Sequence, residues 1–417
     1  MSEFFNVLPP DEAQALMLKH LTAVLPGEMI ETEHALGRVT ANRVLSPHPL
    51  PAFRRSTMDG YAVHASDTYG ASGSLPALLS VVGEVPMGKA AEMTLTRGQA
   101  AIVHTGGMIP DMVDAVVQIE LTQTIDAATM ETPPFEIEVF KAAASGENVL
   151  QIGEDVRVQS EVLAQGHLLR PQDLGGLLAL GITSVAVSCQ PKVAILATGD
   201  EVIPPHQEAG PGQIRDINSY TIAAQVSQAG GIPITIGIVS DNFDALLSSA
   251  QKALDNSDML VMSAGSSVSV RDMTVQVIEQ LGKPGVLFHG VATRPGKPTI
   301  VGVVDGKPVI GLPGNPVSAM IQFDMFGTPA IYQLQGLKTW PKQGFVWAKL
   351  SQNIASQSGR EDYVPARLQE TAAGLTATPV FGKSNLIYTL VNADGLIKIP
   401  LNKGGVLAGD QVEVRLF

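Results

Sequence analysis

The chain has 417 residues, with 27 Lys+Arg against 40 Asp+Glu and a formal net charge of −13. At roughly 100–200 residues per domain, that length implies two to four domains, and 45% apolar against 16% charged residues excludes a disordered chain. The acidic balance, with no Lys/Arg run, argues against nucleic acid or membrane as a partner, and the single Cys189 excludes a disulfide framework or a cysteine zinc site.

In chain order, Met1–Pro10 lacks the basic start and apolar stretch of an export signal, so a cytoplasmic location is expected. Ala13, Leu16, Met17, Leu21 and Val24 recur at helical spacing, which predicts an amphipathic helix. The Pro-rich Ser46–Pro51 reads as a boundary. Beyond it, Leu79–Val85, Ala100–Thr105 and Ala115–Glu120 predict strands of a β-rich segment over 49–150, with Met58, Met87, Met93, Met108 and Met112 as core fillers. Gln172–Leu180 predicts a short helix and Ile182–Ser188 a strand. No apolar run approaches the ~18 residues of a membrane helix.

From 189 to 332 apolar strands alternate with helices. Strands are predicted at Lys192–Ala197, Ile234–Val239, Met259–Met262 and Val286–Val291, and helices at Ser219–Gln228, Phe243–Leu254 and Asp272–Leu281. Asp305-Gly306 joins two β-type runs as a hairpin turn. This alternation reads as an open, mostly parallel α/β sheet covered on both faces. The last segment, 333–417, offers β-type runs at Phe345–Leu350, Leu386–Leu390, Leu396–Ile399 and Gln411–Leu416, and reads as a small β-barrel or sandwich.

Ligands of such open sheets bind outside the carboxyl ends of the strands. There the sequence gathers small, polar and charged residues: Thr198-Gly199-Asp200-Glu201, Ser240-Asp241, Ser263–Ser269, Arg294–Pro298 and Pro313–Pro316. Glycines let backbone amides approach a ligand, and Asn315 before Pro316 suits a helix start, where free N–H groups favour an oxyanion. Carboxylates beside such amides point to a bridging divalent cation, with Glu201, Asp241 and Asp272 as candidates. Against the acidic background, local attraction for an anion must come from Arg294, Lys297, Arg360 and Lys383. His104 at a strand end reads as structural, with a general base as the alternative, and Cys189 reads as a buried inert thiol.

Thr57–Val63 (TMDGYAV), Thr105-Gly106, Gly153-Glu154-Asp155, Ala197–Glu201, Arg294–Pro298 and Leu312–Ser318 (LPGNPVS) together resemble the motifs of the molybdopterin molybdenumtransferase family, in order along nearly the whole chain. The resemblance implies a homodimer of four-domain subunits with the active site between subunits. It divides the chain into a discontinuous linker domain (1–48 and 151–188), a β-rich insertion (49–150), an α/β domain (189–332) and a C-terminal β-barrel (333–417). It implies insertion of molybdate into adenylylated molybdopterin, with Mg2+-dependent pyrophosphate cleavage and release of AMP.

By the same resemblance, Asp59, Thr105, Asp155, Glu201, Asp241 and Asp272 would serve catalysis, the last three as magnesium ligands. Gly199, Asp200, Ser263, Gly265, Ser267, Pro313, Gly314, Asn315 and Pro316 would bind the pterin nucleotide. Arg294, Lys297, Ser318, Arg360 and Ser384 would hold molybdate. The molybdopterin-adenylylating protein and cofactor-receiving apoenzymes would be partners. Three positions depart from the family pattern: Val270 stands where an acid is usual, Arg294 where a lysine is, and Asn148–Ile152 lacks the usual arginines. These leave open a tungstate-inserting relative or a catalytically weakened scaffold; a molybdopterin adenylyltransferase, which has a similar α/β domain, is a further alternative that the MDGYA segment and the C-terminal β domain argue against.

Overall fold

The structure, a computed structural model, describes residues 7–125, 132–264, 268–372 and 374–417, and the side chains of 264 and 268–271 fall outside that description. Two compact units emerge: 1–42, 165–170 and 184–417 form one, and 43–164 with 171–183 the other.

The first unit is built on a six-stranded sheet. Its spatial order is Ile232–Val239, Lys192–Thr198, Met259–Ala264, Lys307–Pro313, Ile300–Val304, Pro284–His289. The first four strands run parallel, and the last two complete the sheet antiparallel. The hairpin turns at Asp305 and Gly306, both at positive φ (+50° and +84°), as a two-residue primed turn requires.

Alternation along the central strands explains the two faces. Val193 and Ile195 with Met259 and Val261 pack under helices Pro10–His20, Asn218–Gln228 and Thr328–Leu334. Ala194, Leu196, Leu260 and Met262 pack under Phe243–Asp255 and Val268–Leu281. Both faces are covered, so these strands read as continuous apolar runs. The N-terminal helix buries Ala13 and Met17 but stops at His20, leaving Val24 exposed outside it.

A second sheet in this unit forms the C-terminal barrel. Glu361–Thr371 pairs with Gly374–Pro379 on one edge and Gly395–Ile399 on the other. Through Phe345–Leu350 and Gln411–Leu416 the ring of five strands closes. The two-residue strand Thr293–Arg294 joins parallel to the start of the long strand, with Arg294 in register with Asp362. The Leu386–Leu390 run is not a strand: Tyr388–Val391 forms one helical turn, with Tyr388 and Val391 exposed and Leu390 buried. Its apolar spacing suits a turn seated on the core by one side. Cys189 is half-buried rather than fully enclosed.

The second unit carries another six-stranded sheet, ordered Ala115–Gln118, Gly60–Val63, Gln99–Val103, Ala77–Glu84, Phe135–Val139, Thr122–Thr124. Alternate residues of Gly60–Val63 enter opposite cores, Tyr61 and Val63 on one face and Ala62 on the other. The methionines do not fill these cores as expected: Met58, Met87 and Met112 are exposed, and only Met93 packs partly against one.

Candidate active site

Three groups of expected site residues can be followed in the structure. The first lies at the carboxyl ends of the parallel strands. Asn218, 8% exposed, donates from Nδ2 to Ser263 Oγ (2.8 Å) and to the Gly314 carbonyl (2.9 Å), tying two strand ends to the start of a helix. Its Oδ1 is buried without a partner among the described residues, which leaves an acceptor for a ligand donor. Asp216, 7% exposed, accepts from Ser219 N (3.0 Å) and fixes the first turn of that helix. Nearby, Thr198 Oγ1 donates to Asp241 Oδ1 (2.7 Å), and Asp241 N donates to Asp200 Oδ1 (3.2 Å). Gly199 at φ +144° packs so close that a Cβ would meet Glu201 Oε2 at 2.8 Å.

Gly199, Asp200, Glu201, Asp241, Ser263 and Gly314 therefore belong to one neighbourhood of turns. The oxygens of Glu201, Asp241 and Asp272 do not converge on a common point, however. Among the described residues, the only trio of possible ligand atoms within 4.8 Å is Glu31, Glu33 and His34, on the surface. Gly265 and Ser267 lie outside the described residues, as does the side chain of Val270.

The second group lines a cavity of about 940 Å3 between the α/β sheet and the barrel. All five residues expected to hold the oxyanion are in its wall: Arg294, Lys297, Ser318, Arg360 and Ser384, with Lys383, Pro313 and Asn315 beside them. Asn315 sits at the N-cap, ahead of Pro316 at the first helical position, but its side chain does not cap the helix. Its Nδ2 donates instead to Ser384 Oγ (3.0 Å), which leaves the Ser384 O–H free to donate into the cavity.

The cavity contains a buried acid that sequence reasoning missed. Asp362, 2% exposed, accepts from Arg360 Nε (2.8 Å) and lies 3.6 Å from Arg294 Nη1. Its neighbour Glu361 points to the other face of the strand, where Tyr363 donates from its hydroxyl (2.7 Å) and Lys398 pairs at 2.8 Å. Burial, then the adjacent Glu361, pushes the Tyr363 hydroxyl far up, so it stays protonated as that donor. The loop bearing Lys297 is held by Gln322, whose Nε2 donates to Thr293 Oγ1 and the Pro295 carbonyl, both at 3.1 Å.

The third group is in the second unit. Asp59 Oδ1 accepts from Thr105 N (2.8 Å), so the two expected residues meet directly. His104 stands between acids, with Nε2 2.9 Å from Glu84 Oε1 and Nδ1 3.9 Å from Asp59 Oδ1. Asp155 is exposed and lines a separate cavity of about 340 Å3 with Asp173 and Leu177.

Comparison with known proteins agrees along the chain. The family described as MoeA N-terminal region (domain I and II) matches residues 8–181, the Probable molybdopterin binding domain matches 194–333, and the MoeA C-terminal region (domain IV) matches 347–417. The molybdopterin molybdenumtransferase of Bacillus subtilis is 32% identical over 100% of this chain and 96% of its own, and that of Haemophilus influenzae is 32% identical over 99% of both. A crystal structure of a molybdopterin biosynthesis MoeA protein from Pyrococcus horikoshii superposes with a TM-score of 0.81 at 35% identity, covering 99% of each chain. The fold, the ordered motifs and these full-length relatives place the chain in the MoeA family of molybdopterin molybdenumtransferases.

Proposed function

We propose that this enzyme of molybdenum cofactor biosynthesis inserts molybdate into adenylylated molybdopterin, releasing the finished cofactor and AMP. The observation that carries the reading is the cavity wall itself. Arg294, Lys297 and Arg360, with two serine hydroxyls, face one space large enough for an oxyanion and part of a nucleotide. Three cations in an otherwise acidic chain are a local device for a dianion.

In this reading Lys297 and Arg360 orient the tetrahedral oxyanion, and Ser318 and Ser384 donate hydrogen bonds to its oxygens. Asn218 Oδ1 accepts a hydrogen bond from the pterin or nucleotide bound over the strand ends. Glu201, Asp241 and Asp272 do not converge on one point, but any one or two of these carboxylates would suffice for magnesium, which completes its shell with phosphate and water. When bound, that cation would neutralise diphosphate charge during cleavage. Asp59 and Thr105 are groups a second subunit would supply, so the proposal includes a homodimer, with Asp155 as a further catalytic candidate. A cytoplasmic location, the adenylylating protein and acceptor apoenzymes follow from the same reading. Among the described residues, no helix is long and apolar enough to cross a membrane.

The test is direct. Full-length protein loaded with adenylylated molybdopterin should release AMP when molybdate and magnesium are added. A folded, loaded sample that stays silent with molybdate and with tungstate would remove the proposal, and ATP consumption with molybdopterin alone would favour the adenylyltransferase instead.

A further inference from the structure

The wall of the oxyanion cavity is not simply positive. Asp362 sits within it, its side chain only 3% exposed, at a place where bulk attraction for an anion would call for no acid. A buried carboxylate is retained at such a place when it has charged partners. Asp362 has two, and they differ. Arg360 Nε is within hydrogen-bond distance at 2.8 Å, Arg360 Nη2 is at 3.5 Å, and the Arg360 side chain is 30% exposed. Arg294 Nη1 is at 3.6 Å, beyond a good hydrogen bond, and its side chain is 62% exposed. Backbone pairing fixes this arrangement, because Arg294 and Asp362 are partners in a parallel ladder and Arg360 immediately precedes that strand.

We propose that Asp362 is the positioning residue of the oxyanion cavity, locking the Arg360 guanidinium as the fixed donor and leaving Arg294 as a loosely held second donor that can swing onto the anion. This rests on the cavity being the oxyanion site. Arg360 has five N–H donors, and the Nε edge spent on Asp362 leaves the opposite edge for the ligand. The carboxylate thereby exchanges one unit of attraction for a guanidinium held in one orientation. Arg294 has the reach for its swing because its grip on Asp362 is long and its stem is in solvent.

The proposal predicts an effect opposite in sign to plain electrostatics. Asp362→Asn raises the cavity charge by one and, by Coulomb attraction alone, would tighten an anion. If Asp362 positions Arg360, the same substitution weakens molybdate, raising its Kd and its KM in AMP release by about tenfold or more while kcat at saturating molybdate changes little. The measurement is calorimetric titration of molybdate into the full-length wild-type and variant proteins, with AMP-release kinetics beside it. Wild type that binds while Asp362→Asn binds equally well or better overturns the proposal alone. Wild type that binds no molybdate and releases no AMP removes the oxyanion reading first, and the proposal with it.

If Asp362→Asn fails to fold, the pair Arg360→Lys and Arg294→Lys decides. The locked donor should be the costlier to replace, so Arg360→Lys should raise the molybdate KM several-fold more than Arg294→Lys. Equal effects, or the reverse order, would overturn the assignment.

Discussion

Gly296 and Gln322 are in contact so close that a Cβ on the glycine would lie 2.3 Å from the Gln322 amide nitrogen. Gln322 is fully buried and holds Thr293 and Pro295, so the glycine cannot gain a side chain without moving the loop that presents Lys297. Gly296 also has φ +106°, which disfavours any L side chain. Gly296→Ala should cost about 2–4 kcal/mol in the unit that contains it. Denaturant unfolding followed by fluorescence checks this, and the molybdate KM should rise in the same variant.

Asp59 receives the Thr105 amide while remaining largely in solvent, its side chain 63% exposed. Asp59→Asn keeps an acceptor for that amide and removes only the charge, whereas Asp59→Ala removes both. If the charge serves the reaction, AMP release should fall by roughly 10²-fold or more in both variants. An asparagine variant with wild-type turnover would restrict Asp59 to holding the loop.

Asn218 ties Ser263 to Gly314 from a buried position. Asn218→Ala strands the Gly314 carbonyl and should lower stability by about 1–3 kcal/mol. Asn218→Asp should be worse, since a carboxylate faces that carbonyl with no proton to donate. Thermal melts rank the two, and the affinity for adenylylated molybdopterin should drop in both.

Arg294, Lys297 and Lys383 are exposed, so their attraction for an anion is open to ionic screening. Raising sodium chloride from about 50 to about 500 mM should weaken molybdate several-fold, as the screening length shrinks below the width of the cavity. Calorimetry across the salt series gives the slope, and a flat response would point to binding by the less exposed Arg360, Ser318 and Ser384.

A site completed by a second subunit requires association. Sedimentation of the pure protein at micromolar concentration should show a dimer, and only a single-chain species would contradict the shared site.

Much of the architecture is legible in the sequence because periodicity carries it. The strands Lys192–Thr198 and Met259–Ala264 and the helix Phe243–Asp255 lie within two residues of where their apolar patterns put them. Asp305-Gly306 marks its turn through the φ values that such residues tolerate. Pattern failed where apolar spacing was too short to define a period, as at Tyr388–Val391. Among the residues that line the large cavity, Arg294, Lys297 and Ser318 were legible as motif members, and Asp59 with Thr105 likewise. Asp362 was not, because its meaning comes from Arg294, 68 positions away, through a strand pairing that no local pattern announces. Asn218 and Gln322 were hidden for the same reason: each acts by bridging segments distant in sequence.

The strand that carries Asp362 has hydrogen-bonded neighbours along both of its edges, within a barrel that closes on itself. Ala366, paired on both edges at once, can exchange its amide proton only when that ring opens, so its deuterium uptake should be among the slowest in the chain. The wall behind the arginines is thus a stiff one, and whatever rearrangement admits the substrates must come from side chains and flanking turns rather than from this stave.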